Sequence, residues 1–600
     1  MQNIRITELP NEISNEIDKL TPLEMVKILF SIDSEIFSGW KNYNSLNHPK
    51  IHQKIASIIS TVISILKSPE DSVIVLSGCG TSGRLAYFVS KNTNEILKHF
   101  NQKSEIKYTI SGGDAALLTA KEGVEDSPSA GVEDLQKIIN GKNNVLYIGI
   151  TCGLSAPYIG GQIEYIMQQN QQCVLLGFNP IDMARKYTVD GWGKSFYDVV
   201  TKFKDCENFI VLNPVVGPEA ITGSTRMKSG SATLILLYSI FAVSIASFLQ
   251  ISLDHKSSQS QFLDRDFLQK IPLVFSNFEF VYRQTYSQFN TIHDIIQAVG
   301  NGFQNGGNLY YVSEENFGIL GFIDASECRP TFGATLDSVR GFVENGWLAM
   351  NNNEGDLSKI YPENPYLKIS VDDFKENNSK FISEYDVVCV LLDRTKKNSE
   401  LPKWIKFFRE QKQSMKCKLC LIEITKEKQE ENSQDSFSDL DFDFFDIKQT
   451  IDLKYSNIFS DETIPDFISY KHFSMKLILN SITTCAHVLK GTVFKNRMID
   501  LQVSNNKLYF RSIQIIQEIA QCNPQEAEKA LLRAIYNFDE ESLFQKYKQI
   551  PISETINISA NFRNILPLSI LLAKYSNLSI KEAKSKLKQQ PILRKIFTNF

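Results

Sequence analysis

The sequence predicts an α/β chain of two lobes, each a parallel sheet flanked by helices, followed by an α-helical C-terminal cap. Three observations carry this expectation. Short apolar runs of strand character alternate with helix-period segments through most of the chain, the pattern of parallel sheets covered on both faces. The 600 residues are too many for one hydrophobic core. Beyond about residue 490 the strand-like runs fade, and helix-period segments such as Gln514–Ala520 and Ile580–Leu587 dominate. The expected division is a helical arm over 1–55, a first lobe over 56–284, a second lobe over 285–489 and the cap over 490–600.

In the first lobe, the apolar run Val73–Leu76 leads into Gly78-Cys-Gly-Thr-Ser-Gly-Arg84 and then Leu85–Val89, which reads as strand, tight turn and helix. Such a turn leaves backbone N–H groups and a helix N-terminus facing outward beside the Thr81 and Ser82 hydroxyls, a pocket suited to an anion and above all to phosphate. No Gly-Lys-Ser/Thr follows, so it is not a Walker A loop. The glycines fall as G-x-G-x-x-G, but no acidic residue stands at a convincing strand end downstream, so it is not a dinucleotide fingerprint. A second strand, Val145–Ile150, ends in the small hydroxylated loop Thr151-Cys-Gly-Leu-Ser-Ala-Pro157. A third segment, Asn213–Glu219 into Ala220–Ser231, gathers Thr222, Ser224, Thr225, Arg226 and Lys228 ahead of a long apolar helix. Three such loops at strand ends suit several hydrogen bonds to one phosphate, each charge-assisted bond contributing about 1.5–3 kcal/mol. Ser229–Leu253 carries no charge and is long enough to span a bilayer, but it begins in the loop motif itself and is read as a helix buried on all sides.

The second lobe starts at Leu309–Ser313 and contains the strand Val387–Leu392. Where the first lobe has Gly-Thr-Ser-Gly, it has Ser313-Glu-Glu-Asn-Phe-Gly318, whose carboxylates repel phosphate; Asp393-Arg-Thr-Lys-Lys397 replaces the small hydroxyl loop. One sugar-phosphate site per chain, on the first lobe, is expected. The net charge of −4 gives no general attraction to nucleic acid or anionic membrane. The ten cysteines form no secreted framework, and Cys417-x-x-Cys420 reads as two buried thiols, so neither metal nor cofactor is expected. The acidic, Phe-containing stretch Glu427–Glu431 and Asp435–Asp446 reads as a solvated loop, with a docking element as the alternative.

Gly78–Arg84, Thr151–Pro157 and Gly217–Ser231, with Leu20–Val26 and Ile110–Asp126, resemble the sugar isomerase (SIS) domain shared by the N-acetylmuramic acid 6-phosphate etherases and the glucokinase regulatory proteins. The second half is similar to the regulatory proteins throughout: Asp324–Cys328, Thr331–Gly333 and Ser338–Phe342 in a second SIS lobe, then Ser481–Leu489, Met498–Leu508, Leu531–Ile535 and Pro567–Leu571 leading into and along the cap. The resemblance implies a fructose 6-phosphate-responsive inhibitor of a glucokinase or hexokinase, cytoplasmic and also nuclear. By position it implies that Gly80, Thr81, Ser82, Thr151, Gly153 and Ser155 hold the phosphate, with Ser224, Thr225 and Arg226 on the neighbouring loop. Glu125 and Glu327 would face the sugar, and Lys507 would reach down from the cap to link sugar binding to cap position. Pro330 stands where animal regulatory proteins tend to have a histidine, which bears on the choice among sugar phosphates.

The etherase reading stays open beside it. Cleaving a lactyl ether needs one group to remove a proton and another to protonate the leaving oxygen, each typically contributing ~10²–10⁴-fold. Asn92 occupies the first-lobe position of the etherase glutamate, but the motif reappears as Glu327-Cys-Arg-Pro-Thr331, so Glu125 and Glu327 would be the acid/base pair. The fused lobes and the added cap favour the non-catalytic sensor. An isomerase or amidotransferase lacks an assignable base beyond Glu125 and a Cys at position two.

Overall fold

The computed structural model describes residues 4–103, 106–119, 123–189, 191–249, 267–395, 402–426, 442–454 and 469–598. Glu427–Glu431 and most of the acidic stretch after Asp435 lie outside the described residues.

Two five-stranded parallel sheets organise the chain. The first contains β1 (Ser72–Gly78), β2 (Ile106–Ile110), β3 (Asn144–Ile150), β4 (Gln172–Leu176) and β5 (Phe209–Leu212) in the order β2-β1-β3-β4-β5. The second contains β6 (Leu309–Ser313), β7 (Val339–Val343), β8 (Val387–Arg394), β9 (Lys418–Lys426) and β10 (Ile447–Leu453) in the order β7-β6-β8-β9-β10. These are one permutation used twice, so the second lobe repeats the first as expected. β1 is buried at all seven positions, since β-branched and apolar residues must pack on both faces of a sheet covered by helices. In such a sheet the chain changes direction between the first and third strands, and ligands bind at the carboxyl ends there. The loops after β1 and β3 flank that point.

The Lys228–Phe248 helix is long and apolar enough to cross a membrane, but every residue from Lys228 to Ala246 is buried within the protein. It is the core helix its composition predicts. Cys417 and Cys420 pack on opposite faces of the second sheet, and no cluster of metal-ligating residues occurs among the described residues. Helices Pro49–Leu66 and Phe267–Ser287 run through positions 55 and 284, each burying an apolar face in the large cluster that the two lobes share.

Two helices form the seam between lobes, Thr81–His99 and Glu315–Phe332, running antiparallel. Lys91 and Asn92 on the first meet Asn316 at the start of the second: Lys91 Nζ donates to Asn316 Oδ1 at 3.2 Å and Asn316 Nδ2 to Asn92 Oδ1 at 2.7 Å. At the other end, the first turn of Thr81–His99 meets Glu327. After the last core helix, Tyr470–Lys490, the cap contains Asn506–Ala520, Pro524–Tyr536, Ile565–Lys574 and Ile580–Gln589. Asn523 and Ser579 start two of these with reciprocal capping by Glu526 and Glu582. Leu508, Ile516, Leu531 and Leu571 join the cap to the same apolar cluster that fills both lobes.

Candidate functional site

Gly80 takes φ +51° and ends the turn, so the helix starts at Thr81 with its N-terminus open. Gly83 lets that helix close on β1: a Cβ there would stand 2.6 Å from Gly78 O and 2.6 Å from Ile110 Cγ1. Two side chains of this first turn are held by the second lobe. Thr81 Oγ1 donates to Glu327 Oε2 at 2.5 Å, and Arg84 Nη1 pairs with Glu327 Oε1. Arg84 Nε donates to Leu117 O at 3.2 Å, and its Nη2 is buried with no partner among the described residues.

The cap closes over this turn at three points. Lys507 Nζ lies 3.2 Å from Glu125 Oε1. The backbone N–H and side-chain amide of Asn506 both donate to Asp126 Oδ2 at 3.1 Å. Arg511 makes a two-pronged bond to Glu8 of the N-terminal arm, 2.8 Å from Nε to Oε2 and 2.6 Å from Nη2 to Oε1. Burial would lower the Lys507 ammonium, but the Glu125 and Glu8 carboxylates outweigh it and raise its pKa above the ordinary lysine value. Burial and then the adjacent Glu125 push Asp126 up, against its bonds from Asn506. Burial would also raise Glu8, but Arg511 and Arg5 hold it below the usual carboxylate range.

Beneath the cap lies a cavity of about 150 Å³. Gly80, Thr81, Ser82, Glu125, Ser224, Thr225, Arg226, Glu327 and Lys507 all line it, so one space gathers residues from both lobes and the cap. Its lining holds five cations (Arg84, Arg226, Arg329, Lys507 and Arg511) against two carboxylates (Glu125 and Glu327), a balance that suits an anion. Ser224 Oγ is buried there with no partner among the described residues. Arg226 is committed elsewhere: Nη1 lies 3.0 Å from Asp324 Oδ1, and Nη2 donates to Thr483 and Thr484 at 3.1 and 2.7 Å. It ties the third loop to the second lobe. Glu219 fixes the same loop by accepting from the backbone N–H groups of Lys228 and Ser229 at 2.8 and 2.9 Å.

Thr151, Gly153 and Ser155 stand outside that lining, on the loop after β3. Thr151 Oγ1 accepts from Ser155 N at 3.2 Å, and the loop adjoins the first through a 3.6 Å contact between Ser82 Oγ and Cys152 Sγ. Pro330 lines the cavity directly, with Arg329 and Thr331 beside it. Arg84, Ser111, Arg329, Gln502 and Arg511 were not singled out from the sequence, yet all five line the cavity. Two of them had a local signal: Arg84 closes the glycine motif, and Arg511 follows Lys507 by four residues on one helical face. For Ser111, Arg329 and Gln502 only the packing of cap on lobes shows the role.

The arrangement offers a helix N-terminus, hydroxyls and cations to an anion, with carboxylates placed for hydroxyl groups. The sequence matches "Glucokinase regulatory protein N-terminal SIS domain" over residues 57–167, "Glucokinase regulatory protein, second SIS domain" over 286–490 and "C-terminal lid domain of glucokinase regulatory protein" over 495–597. It is 32% identical to the glucokinase regulatory protein of Xenopus laevis, spanning 99% of this chain and 92% of that one. The Homo sapiens protein of that name is 30% identical across 98% of this chain and 91% of its own length. An N-acetylmuramic acid 6-phosphate etherase of Psychromonas ingrahamii is 30% identical over 39% of this chain and 67% of its own. Two lobes of one topology, a lid over the first strand ends and matches to all three parts in order place this chain in the glucokinase regulatory protein family.

Proposed function

We propose that this chain is a phosphosugar-binding regulator, in which fructose 6-phosphate or a related ketose or hexitol phosphate binds under the cap and changes affinity for a sugar kinase of the glucokinase or hexokinase type. The observation that carries this reading is the Lys507–Glu125 contact, which places a cap cation and a first-lobe carboxylate in the same cavity as the glycine-loop hydroxyls. A phosphate entering there competes with Glu125 for Lys507, so ligand and cap position are coupled through a difference in affinity between two cap states. The test is thermal unfolding with fructose 6-phosphate, fructose 1-phosphate, sorbitol 6-phosphate and N-acetylmuramic acid 6-phosphate. A ligand at 100 times its Kd stabilises by about 2.7 kcal/mol. Lys507→Ala should keep the fold and lose about tenfold or more of the affinity; unchanged affinity refutes the coupling.

A second reading is favoured by one observation: Glu125 and Glu327 line the same cavity, from different lobes. Stabilisation by the muramic compound alone, followed by lactate release, would make the chain an etherase-type lyase. Against this, both Glu327 oxygens are engaged by Thr81 and Arg84, an arrangement suited to positioning.

A further inference from the structure

The N-terminal segment before the first long helix lies outside the three matched regions, which begin at residue 57. It is pinned as a strap across the site. Thr7 N donates to Asn179 Oδ1 at 3.2 Å, and Asn179 Nδ2 returns a bond to Thr7 Oγ1 at 3.0 Å. Asn11 Nδ2 donates to Pro218 O at 2.9 Å, and Ser14 Oγ to Ala220 O at 2.6 Å, both on the loop after β5. From the cap, Asn496 Nδ2 donates to Asn11 O at 2.8 Å. These bonds tie residues 7–14 to the segments after β4 and β5 and so fix where the adjoining Arg5 falls.

Arg5 falls on Gly153. A Cβ at Gly153 would stand 3.3 Å from Ser155 Oγ, 3.5 Å from Arg5 Nη1 and 3.8 Å from Thr7 Oγ1, so a guanidinium and two hydroxyls face one small space that glycine keeps open. Arg5 Nη1 is buried without a hydrogen-bond partner among the described residues. Its ion-pair partner Glu8 stands 3.7 Å from Arg5 Nη2, and both Glu8 oxygens also accept from Arg511. The Arg5 side chain is 12% exposed, and a buried guanidinium donor left unsatisfied in this way is costly unless an acceptor, best an anion, meets it. Ser82, whose hydroxyl lines the main cavity, touches Cys152 of this same loop.

We propose that Arg5 is a phosphate-binding residue, reaching from the N-terminal strap to the monoester oxygens over Gly153 and Ser155. This rests on the phosphosugar reading above. It makes the strap part of the site, and the chain Arg5–Glu8–Arg511 a second link from phosphate to cap, separate from Lys507.

The test is calorimetric titration of the full chain and its Arg5→Ala, Arg5→Gln and Arg5→Lys variants with fructose 6-phosphate and with inorganic phosphate. Ala and Gln should each weaken both ligands about tenfold to hundredfold, and Lys should retain part of the affinity. The slope of log affinity against log salt should also fall in the Ala and Gln variants. Affinity equal to the parent in Ala and Gln overturns the proposal, as does loss toward fructose 6-phosphate with none toward inorganic phosphate. Should Arg5→Ala lower the melting temperature of the unliganded chain, Glu8→Gln decides. It removes the strap–cap ion pair and keeps the guanidinium, so an equal loss in Glu8→Gln and Arg5→Gln overturns a direct contact. A parent chain that binds neither ligand overturns the phosphosugar reading itself and this proposal with it.

Discussion

Removing Glu327 should destabilise the chain by exposing an uncompensated charge at the seam between lobes. Arg84 is 1% exposed, and among the described residues its guanidinium is held by Glu327 and by Leu117 O. In Glu327→Ala Arg84 Nη1 loses its carboxylate partner, Nη2 already has none among the described residues, and only the Nε bond to Leu117 O is left. Breaking a buried pair in this way costs about 3–5 kcal/mol. The adjoining cavity of about 150 Å³ admits water to the guanidinium, so the lower end, about 3 kcal/mol, is expected. At about 2 cal/mol/K per residue over this length, that is a calorimetric shift of about 2–3 °C. Arg84→Met combined with Glu327→Leu replaces both charges by apolar groups and should cost about 1 kcal/mol or less, leaving a coupling of at least about 2 kcal/mol in a double-mutant cycle whose singles are Arg84→Met and Glu327→Leu. A Glu327→Ala protein melting within 1 °C or so of the parent, or a double variant equal to the sum of the singles, would refute the reasoning.

Asp33 is buried, accepts from the Tyr286 hydroxyl at 2.7 Å, and has its pKa pushed up from 3.8 to about 6 by burial. The folded state therefore binds this proton more tightly than the unfolded chain, and stability from this residue falls as pH rises from about 4 to about 6, a penalty of about 3 kcal/mol above that window. Asp33→Asn, which still accepts from Tyr286, should be more stable than the parent at pH 7.5, and its advantage should fade as the pH is lowered to 4.5; a gap constant across that range, measured by denaturant unfolding, counts against it. Gly83→Ala drives a methyl to within 2.6 Å of Gly78 O, so a loss of about 1–3 kcal/mol is expected together with weaker sugar-phosphate binding, and wild-type stability in that variant would show that the helix can slide away from β1.

Much of the fold was legible because its signals are local. The apolar runs that become β1, β3, β6 and β8, the glycine turn ending at Arg84, and the uncharged run that follows Lys228 each announce themselves in the local sequence. Glycine marks a place where backbone meets backbone, and a buried parallel strand must be apolar on both faces. The residues read from those motifs do assemble: Thr81, Ser82, Glu125, Glu327 and Lys507 line one space.

What the sequence by itself determined is therefore the set of turns, strands and helices and the hydroxyls and cations they carry. The tertiary structure alone decided how those charges pair. Glu327 reaches Arg84 across 243 positions, Arg511 reaches Glu8 across 503, and Arg226 is drawn to Asp324 of the other lobe. It also decided that helices run unbroken through positions 55 and 284. The physical reason is that charge pairing across a seam depends on how two rigid lobes and a cap pack, which has no period along the chain. Each buried cation takes whichever carboxylate that packing brings within reach, and only the assembled core determines which one that is.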